Sequence, residues 1–443
     1  MHSLLIRDAY IVINSEVILA SILVINGKIA ALAKDSSRFR DVDEVINGSG
    51  LLALPGGVDI HAHIYDPNYT HHEDFRSGTI AAIYGGITTV FDMPLRLYVD
   101  NVDALKIKIN EGLRSSFANF GILAGMMNES NVCNILRLRK EGVKGFKLFT
   151  CKPFRPKGES AIAEVIGEVS RSKALTIVHA EDDILIDYLA NYFKREGRNE
   201  PIVHHLSRPP EAEVSAITRV VEVAKYLDAR VHIAHVSSAL GAKVIKEAKA
   251  SGIKVTAETC PQYLYFTRDD VAKWGNYLKI TPSLKSRSDV NYLWQSLAEG
   301  TIDAVASDHA PSPRDEKELD VWSAWGGIPV IEVMLPFVFT YGVKKLGVLT
   351  IDRFVEVTSE NPAKIIGFYP AKGAIMPGSD ADIIVIDPNK YVKVTADSLH
   401  HKVDWTPFEG MLLTGWPKYV VVNGRLLLSD GELIEENRSV KYV

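Results

Sequence analysis

The chain has 443 residues, of which 47% are hydrophobic and 24% charged, and 50 basic residues stand against 55 acidic ones for a net charge of −5. This length allows one large domain and a smaller one, and the composition is that of an ordinary globular protein, which excludes disordered and fibrous classes. Without a dense basic run, a signal peptide or an uncharged apolar segment of about 18 residues, the chain is predicted to be cytoplasmic, with neither nucleic acid nor membrane as a partner.

The first segment, residues 1–52, has a sequence pattern that predicts short antiparallel strands. Asn26 and Gly27 form a typical hairpin turn between two apolar runs. No segment of helical length interrupts the pattern. The strands predicted here cover residues 4–7, 10–13, 21–24 and 28–32.

From residue 53 to residue 367, short apolar runs alternate with segments of helical length, such as residues 211–227. Runs that are continuous rather than alternating are typical of parallel strands covered on both faces. Eight such runs predict an α/β fold, the (β/α)8 or TIM barrel, which needs about 250 residues. The predicted barrel strands cover residues 51–60, 88–93, 118–124, 143–149, 175–179, 231–236, 253–258 and 302–307. A closing helix is predicted at residues 361–366, with Gly367 as its stop.

The last segment, residues 368–443, is again predicted to form β-strands. One strand is predicted at residues 383–387 and a hairpin at residues 419–428. Because β segments stand at both ends of the chain, we predict a small β-sandwich domain formed by both termini. The predicted domains are therefore residues 1–52 and 368–443 for the β-sandwich, and residues 53–367 for the barrel.

The residues that carry chemistry lie where the predicted barrel strands end. Side chains at the carboxyl ends of barrel strands converge on one site. His61 and His63 are spaced i, i+2, which places both on one face of the first strand. Imidazole and carboxylate groups are metal ligands, so their coincidence at several strand ends predicts a metal site. The other strand-end candidates are Lys147, His179, His235, Asp308 and His309.

Lys147 needs its own explanation, because an ammonium group beside divalent cations is disfavoured by like-charge repulsion. Its neighbours Phe146 and Leu148 are apolar, which places it at the inner rim of the strand. The side chain must therefore be neutral, displaced or converted into an anion.

These segments together resemble the cyclic amidohydrolases, which are the dihydroorotases, hydantoinases and allantoinases of the metal-dependent amidohydrolase superfamily. The resemblance runs over essentially the whole chain. Its motifs are GVDIHAH (57–63), GGITT (85–89), GFK (145–147), HAE (179–181), HIAHVSS (232–238), ETCPQYL (258–264) and SDHAP (307–311).

The resemblance implies two divalent metal ions, usually zinc, bridged by Lys147 after carboxylation of its amine. A carbamate is an anion, so this conversion removes the charge conflict. One metal would be held by His61, His63 and Asp308, and the other by His179 and His235.

The implied reaction is hydrolysis of a ring C–N bond in a small cyclic amide. Asp308 would act as general base and then as general acid. His309 would hold the substrate or orient Asp308, and a purely structural role is the alternative. The family usually forms homodimers or homotetramers, so the same assembly is expected here.

Substrate choice depends on the residues that grip the far end of the ring. Dihydroorotases typically have an arginine and an asparagine where this chain has Tyr65 and Leu95, although Arg96 could compensate. Hydantoinases typically have a tyrosine shortly after the bridging lysine, where this chain reads FTCK (149–152). Allantoinases are more similar in MPL (93–95), SDHAPSP (307–313) and AWGGI (324–328).

We therefore expect conversion of allantoin to allantoate, with dihydroorotase and hydantoinase or dihydropyrimidinase as alternatives. A non-catalytic scaffold relative is a remote alternative, since every expected ligand position is filled. The substrate-binding residues predicted on this basis are Tyr65, Arg96, Thr281, Ser283 and Gly326.

Two pairs of adjacent histidines, His71 with His72 and His204 with His205, lie outside these motifs. Side chains of sequence neighbours usually diverge, so we predict loop or surface roles for both pairs.

Overall fold

The computed structural model describes residues 2–13, 15–158 and 160–443, and its strands are numbered in chain order. The first five strands are β1 (Ser3–Ile13), β2 (Glu16–Ile25), β3 (Lys28–Ala33), β4 (Glu44–Asn47) and β5 (Leu52–Pro55). The next eight are β6 (Gly57–Ala62), β7 (Ile87–Asp92), β8 (Asn119–Ile122), β9 (Gly145–Phe149), β10 (Leu175–His179), β11 (Val231–Ile233), β12 (Val255–Thr259) and β13 (Ala304–Val305). The last six are β14 (Ile383–Ile386), β15 (Val392–Lys393), β16 (Leu412–Leu413), β17 (Pro417–Val422), β18 (Arg425–Ser429) and β19 (Glu432–Leu433).

The α-helices lie between and after the strands β6 to β13. Their bounds up to α7 are α1 (Phe75–Tyr84), α2 (Val102–Ser115), α3 (Ile135–Lys140), α4 (Ala161–Arg171), α5 (Asp183–Arg195), α6 (Ile202–Leu206) and α7 (Pro210–Tyr226). The others are α8 (Ala239–Ala250), α9 (Val271–Trp274), α10 (Arg287–Glu299), α11 (Arg314–Lys317), α12 (Met334–Val338), α13 (Ile351–Val355) and α14 (Asn361–Ile366). Among the helices of the described residues, none has the length and apolar character that a membrane crossing requires.

The strands β6 to β13 form a closed ring of parallel strands. One parallel group pairs in the order β6-β7-β8, and the other in the order β13-β12-β11-β10-β9. Two parallel bridges join the groups, one between Ala124 and Phe146 and the other between Ala62 and His309. The predicted (β/α)8 barrel is therefore confirmed. The predicted helix stop is also present, since Gly367 follows α14 with φ of 84°.

The first predicted barrel strand, residues 51–60, is in fact two strands that belong to different sheets. β5 pairs with β1 and β14, whereas β6 pairs with β7 in the barrel. They separate at Gly56, where an added Cβ would lie 2.1 Å from Oγ1 of Thr88. The chain thus passes from one sheet to the other at a point too crowded for a side chain.

Strands from both ends of the chain join in one sheet, in the order β19-β18-β17-β14-β5-β1-β2-β3, and β4 pairs with β1. The predicted β-rich domain from both termini is confirmed. All nine strands belong to one hydrogen-bonded sheet rather than to two separate ones, because β5 pairs with strands from both chain ends. The domain boundaries given above stay a prediction. The apolar core of this sheet includes Leu4, Ile6, Ile22, Val24, Ile383 and Val385.

The predicted strands 4–7 and 10–13 form the single strand β1, which contains a bulge between Ile6 and Ala9. Asp8 lies in the bulge with φ of 57°, in the left-handed region that bulges use. The bend lets the first half of β1 pair with β4 and the second half with β5. The Asn423-Gly424 turn of the predicted C-terminal hairpin is present between β17 and β18.

Candidate metal centre and active site

Two histidines and an aspartate meet at the carboxyl end of the barrel. Nε2 of His61 lies 3.5 Å from Oδ1 of Asp308, and Nε2 of His63 lies 3.3 Å from the same oxygen. One ligand atom from each residue lies within 4.8 Å of the other two. These three side chains could therefore hold one cation.

A second pair of histidines lies beside this group. Nδ1 of His179 is 3.0 Å from Nε2 of His235. The rings of His235 and His61 are 5.1 Å apart, centre to centre. The sequence-predicted ligands thus converge from strands β6, β10 and β11 on one small region.

Backbone hydrogen bonds fix the strand ends that carry these ligands. The Asp308 N–H donates to the carbonyl of His61 at 2.9 Å, and the His63 N–H donates to the carbonyl of His309 at 2.8 Å. Asp308 and His235 have φ of 48° and 39°, which is uncommon for residues other than glycine. Such conformations persist where the surrounding structure imposes them, and they cluster at functional sites.

The imidazoles of His61 and His63 each have a second partner on the side away from the site. Nδ1 of His61 lies 2.5 Å from Oε1 of the buried Glu258, and Nδ1 of His63 lies 2.7 Å from the carbonyl of Met93. An acceptor at Nδ1 keeps the proton there and leaves the Nε2 lone pair for a metal. Glu258 also contacts His232 at 3.1 Å, so its carboxylate is held between two imidazoles.

His179 is oriented the other way round. Its Nε2 lies 2.9 Å from Oε2 of Glu181, which leaves Nδ1 directed at His235. Arg208 binds the same Glu181 carboxylate at 2.5 Å. Burial acts to raise the pKa of Glu181, but Arg208 and His179 lower it to about 2. The ion pair therefore keeps an anion behind His179.

Lys147 is buried among these ligands. The residue is only 1% exposed, and its Nζ has no hydrogen-bond partner among the described residues. Burial lowers the pKa of Lys147 to about 8, although Asp308 and Glu258 act in the opposite direction. An unpaired amine in such a place is costly, so it calls for a further group.

The donor set fits divalent cations. Imidazole nitrogen with carboxylate oxygen suits zinc and similar borderline metals. Besides the Lys147 amine, Nδ1 of His235 is buried without a partner among the described residues. Buried polar atoms without partners are rare in a finished protein interior.

A cavity of about 390 Å³ opens onto this group, and we call it the strand-end cavity. It is lined by all six predicted metal-ligating residues, and by Arg96, Thr281 and Gly326 of the predicted substrate-binding set. Arg208 and Lys152 add two further cations. Five large side chains of apolar character also line the cavity and are together called the apolar wall: Leu95, Tyr98, Phe149, Phe154 and Trp325.

Two predicted substrate-binding residues are missing from the lining that the described residues form. Tyr65 is fully buried behind it, with its ring 6.5 Å from that of His63 and 6.0 Å from that of Trp325. The hydroxyl of Ser283 donates to the carbonyl of Arg208 at 2.8 Å. Both residues support the cavity from behind, because their side chains are directed into the protein.

The predicted catalytic contact of His309 requires a similar correction. Nε2 lies 3.0 Å from Oε2 of Glu73, and Nδ1 accepts the Val330 N–H at 3.0 Å. Both ring nitrogens are engaged inside the protein, and the residue is fully buried. His309 is therefore not placed to hold the substrate, whereas orientation of the neighbouring Asp308 and a purely structural role both stay predictions.

Sequence reasoning missed Arg208 as a cavity residue. It lies in the loop before α7, whereas the other charged or metal-ligating candidates follow barrel strands. Its pairing with Glu181, in the HAE motif, connects it to the site. Trp325 belongs to the AWGGI segment (324–328), but nothing in the sequence indicates that its ring lines the cavity.

Comparisons with known proteins agree with this geometry. Residues 52–427 match the model of the amidohydrolase family. The chain is 32% identical to an L-hydantoinase of Paenarthrobacter aurescens, over 100% of this chain and 98% of that protein. It is 33% identical to an allantoinase of Escherichia coli (strain K12), over 92% of this chain and 91% of that protein.

Among solved structures, the dihydropyrimidinase of Brevibacillus agri NCHU1002 superposes with a TM-score of 0.92 at 29% identity, over 100% of this chain and 98% of that one. The family predicted from the strand-end motifs is therefore confirmed. The chain belongs to the amidohydrolase family and is a hydrolase of cyclic amides.

Proposed function

We propose that the enzyme hydrolyses a ring C–N bond of a five-membered cyclic ureide, the hydantoin ring, and that two zinc ions serve the reaction. The convergence of four histidines, Asp308 and an unpaired buried lysine on one cavity carries this proposal. His61, His63 and Asp308 would hold one zinc ion, and His179 and His235 the other. Bound there, the cations would polarise the ring carbonyl and lower the pKa of a water molecule.

Lys147 is proposed to bridge the two cations as a carbamate. In its neutral form the amine adds to CO2, a new N–C bond forms, and one proton is released to solvent. The product is an anion, which replaces an unpaired buried amine. Carboxylation would thus convert the Lys147 amine, whose positive charge opposes cation binding, into an anionic metal ligand.

Asp308 is proposed to move the proton. Its side chain is 13% exposed and lines the cavity, so it can reach both an attacking water and the leaving ring nitrogen. Burial acts to raise the pKa of Asp308, but His61 and His63 hold it below its usual range. The carboxylate is therefore ionised at neutral pH and can act first as base and then as acid.

The substituent on the ring is proposed to be apolar, and the apolar wall supports this choice. Leu95 and the aromatic residues of the wall line the cavity together with the metal-ligating residues. A bulky apolar group at ring position 5 would be desolvated there at a gain, whereas a polar ureido group would lose hydrogen bonds to water. The substrate that fits best is a 5-arylalkyl hydantoin.

Allantoin, which is 5-ureidohydantoin, is the second candidate. The guanidinium of Arg96 lines the cavity and could donate to the ureido carbonyl. The motifs shared with allantoinases and the 33% identity to the Escherichia coli protein favour this substrate as well. Dihydroorotate stays an alternative, because Arg96 could also bind its carboxylate.

The deciding experiment compares kcat/KM of the zinc-loaded enzyme for 5-benzylhydantoin, allantoin, dihydroorotate and dihydrouracil. We expect 5-benzylhydantoin to exceed allantoin by about tenfold or more, as one well-buried apolar group contributes about 1–3 kcal/mol. If allantoin or dihydroorotate is turned over fastest, the proposed substituent is wrong. If none of the four is turned over, the hydantoin-ring proposal itself fails.

Arg96→Met is the matched variant for this comparison. It should lower turnover of allantoin or dihydroorotate far more than turnover of 5-benzylhydantoin. The assembly proposed for this family, a homodimer or homotetramer, is checked on the same preparation by light scattering.

A further inference from the structure

A second group of metal-ligating side chains lies outside the strand-end cavity. His71 and His72 belong to the loop between β6 and α1, and Glu316 belongs to α11. Nε2 of His72 lies 2.8 Å from Oε1 of Glu316, and Nε2 of His71 lies 3.8 Å from the same oxygen. The predicted divergence of the two histidines is wrong, since their rings are 4.6 Å apart and both approach one carboxylate.

His72 has an unusual hydrogen-bonding position. It is fully buried, and its Nδ1 lies 3.0 Å from the carbonyl of Pro311. A carbonyl can only accept, so the ring proton belongs on Nδ1. The Nε2 lone pair of the neutral ring then faces a Glu316 oxygen at 2.8 Å. Two acceptors at this distance repel each other unless a positive charge lies between them.

A positive charge can come from a second ring proton or from a bound cation. The bond from Nδ1 to a backbone carbonyl is the arrangement by which proteins usually orient a metal-binding imidazole. His71 supplies a second imidazole at the same place, and one ligand atom from each of the three residues lies within 4.8 Å of the others. A simple ion pair between His72 and Glu316 would involve only one of the two imidazoles that approach this carboxylate.

We propose that His71, His72 and Glu316 form a further site for a divalent cation, distinct from the catalytic pair. Two imidazole nitrogens and one carboxylate oxygen suit zinc or a neighbouring transition metal rather than calcium or magnesium. The His71 side chain is 58% exposed, so the cation can enter from solvent and keep a water ligand.

The position of this group suggests what the cation does. The ring of His72 lies 4.7 Å from that of Trp325, a member of the apolar wall. The ring of His71 lies 5.3 Å from that of Tyr69, and the Arg96 guanidinium lies over both Tyr69 and Trp325. A cation would tie the β6–α1 loop to α11 directly behind the substrate-facing wall.

The test counts metal on the holoenzyme. Protein with its catalytic site loaded is dialysed to equilibrium against micromolar free zinc, and zinc per chain is measured by mass spectrometry. We expect the wild-type protein to hold one more zinc ion per chain than His71→Ala and Glu316→Gln. An anomalous diffraction map at the zinc edge should show the extra peak between the three side chains.

Asp315→Asn is the matched control, because it removes the same charge from the neighbouring position of α11. Asp315 accepts the Glu316 N–H at 3.0 Å, and asparagine keeps that acceptor. This variant should retain the extra zinc ion. Equal zinc content in all four proteins, or no anomalous peak at this place, would overturn the proposal and leave His72 as a protonated partner of Glu316.

Discussion

The inner end of the strand-end cavity and its outer wall hold their side chains by different means. At the inner end, His61 and His179 each have a buried carboxylate behind the ring, Glu258 and Glu181 respectively. At the wall, Arg96, which is exposed, makes its contacts with two aromatic faces. The proposed metal ligands come from strands or strand ends, whereas the wall comes mostly from loops.

This difference assigns the reaction to the inner end of the cavity and the choice of substrate to its wall. Residues placed by a rigid barrel and by outer carboxylates keep their geometry when the loops change. Loop side chains can be exchanged without disturbing the barrel, and substrate choice is the property that such exchanges alter. The relatives named as hydantoinase, allantoinase and dihydropyrimidinase, all about equally similar to this chain, are consistent with that division.

The largest effect is expected at the inner end, from Lys147→Ala. Loss of the proposed bridge should reduce kcat by about a thousandfold or more, the scale of a lost group that stabilises the transition state electrostatically. Zinc content should fall, and short carboxylic acids should partly restore both. Lys152→Ala is the control, since Lys152 also lines the cavity but is exposed. Full activity and full zinc content in Lys147→Ala would contradict the bridging role.

An intermediate effect is expected at the wall, from Phe154→Ala. This change removes an aromatic face that lies 5.1 Å from the ring of Phe149. We expect the ratio of kcat/KM between 5-benzylhydantoin and allantoin to fall about tenfold, with zinc content unchanged. Phe193→Ala, at a largely buried phenylalanine of a separate apolar cluster, should leave the ratio unchanged. A loss of zinc in Phe154→Ala would show that the two ends of the cavity are not independent.

The third prediction concerns stability rather than catalysis, at the buried His205, and it depends on pH. Burial, with Lys285 and Lys317 nearby, lowers the pKa of His205 from 6.5 to about 3. The His205 imidazole thus binds its second proton more weakly in the folded protein than in the unfolded chain. Stability is not reduced above pH 6.5, and it declines as the pH falls from 6.5 towards 3.

His205→Gln removes this titration. Between pH 7 and pH 5 the free energy of unfolding of the wild-type protein should fall by about 2 kcal/mol more than that of the variant. Urea unfolding at the two pH values measures the difference. An identical pH dependence of both proteins would mean that His205 takes up its proton in the folded state.

The sequence predicted the inner end well, because a physical rule connects it to position. Parallel barrel strands bring their carboxyl ends together, so His61, His179, His235 and Asp308 could be grouped without knowing any loop. Lys147 could be added because its apolar neighbours placed it on a strand. The barrel itself followed from the alternation of apolar runs and helical segments.

The same reasoning failed where no repeating geometry applies. In loops the direction of a side chain is not set by a period, so the inward orientation of Tyr65 and Ser283 could not be read from the sequence. Arg208 reaches the cavity through its ion pair with Glu181, a contact between distant segments. His71 and His72 were expected to diverge, but an irregular loop lets both face one carboxylate.

The change of sheet at Gly56 has a consequence for how the proposed metal ligands are placed. Gly56 alone lies between β5 and β6, so the terminal sheet is joined directly to the barrel strand that carries His61. The level of His61 and His63 along the barrel is then set partly by the pairing of β5 with β14, which is formed from the far end of the chain. The terminal sheet thus helps to determine where the proposed metal ligands His61 and His63 lie.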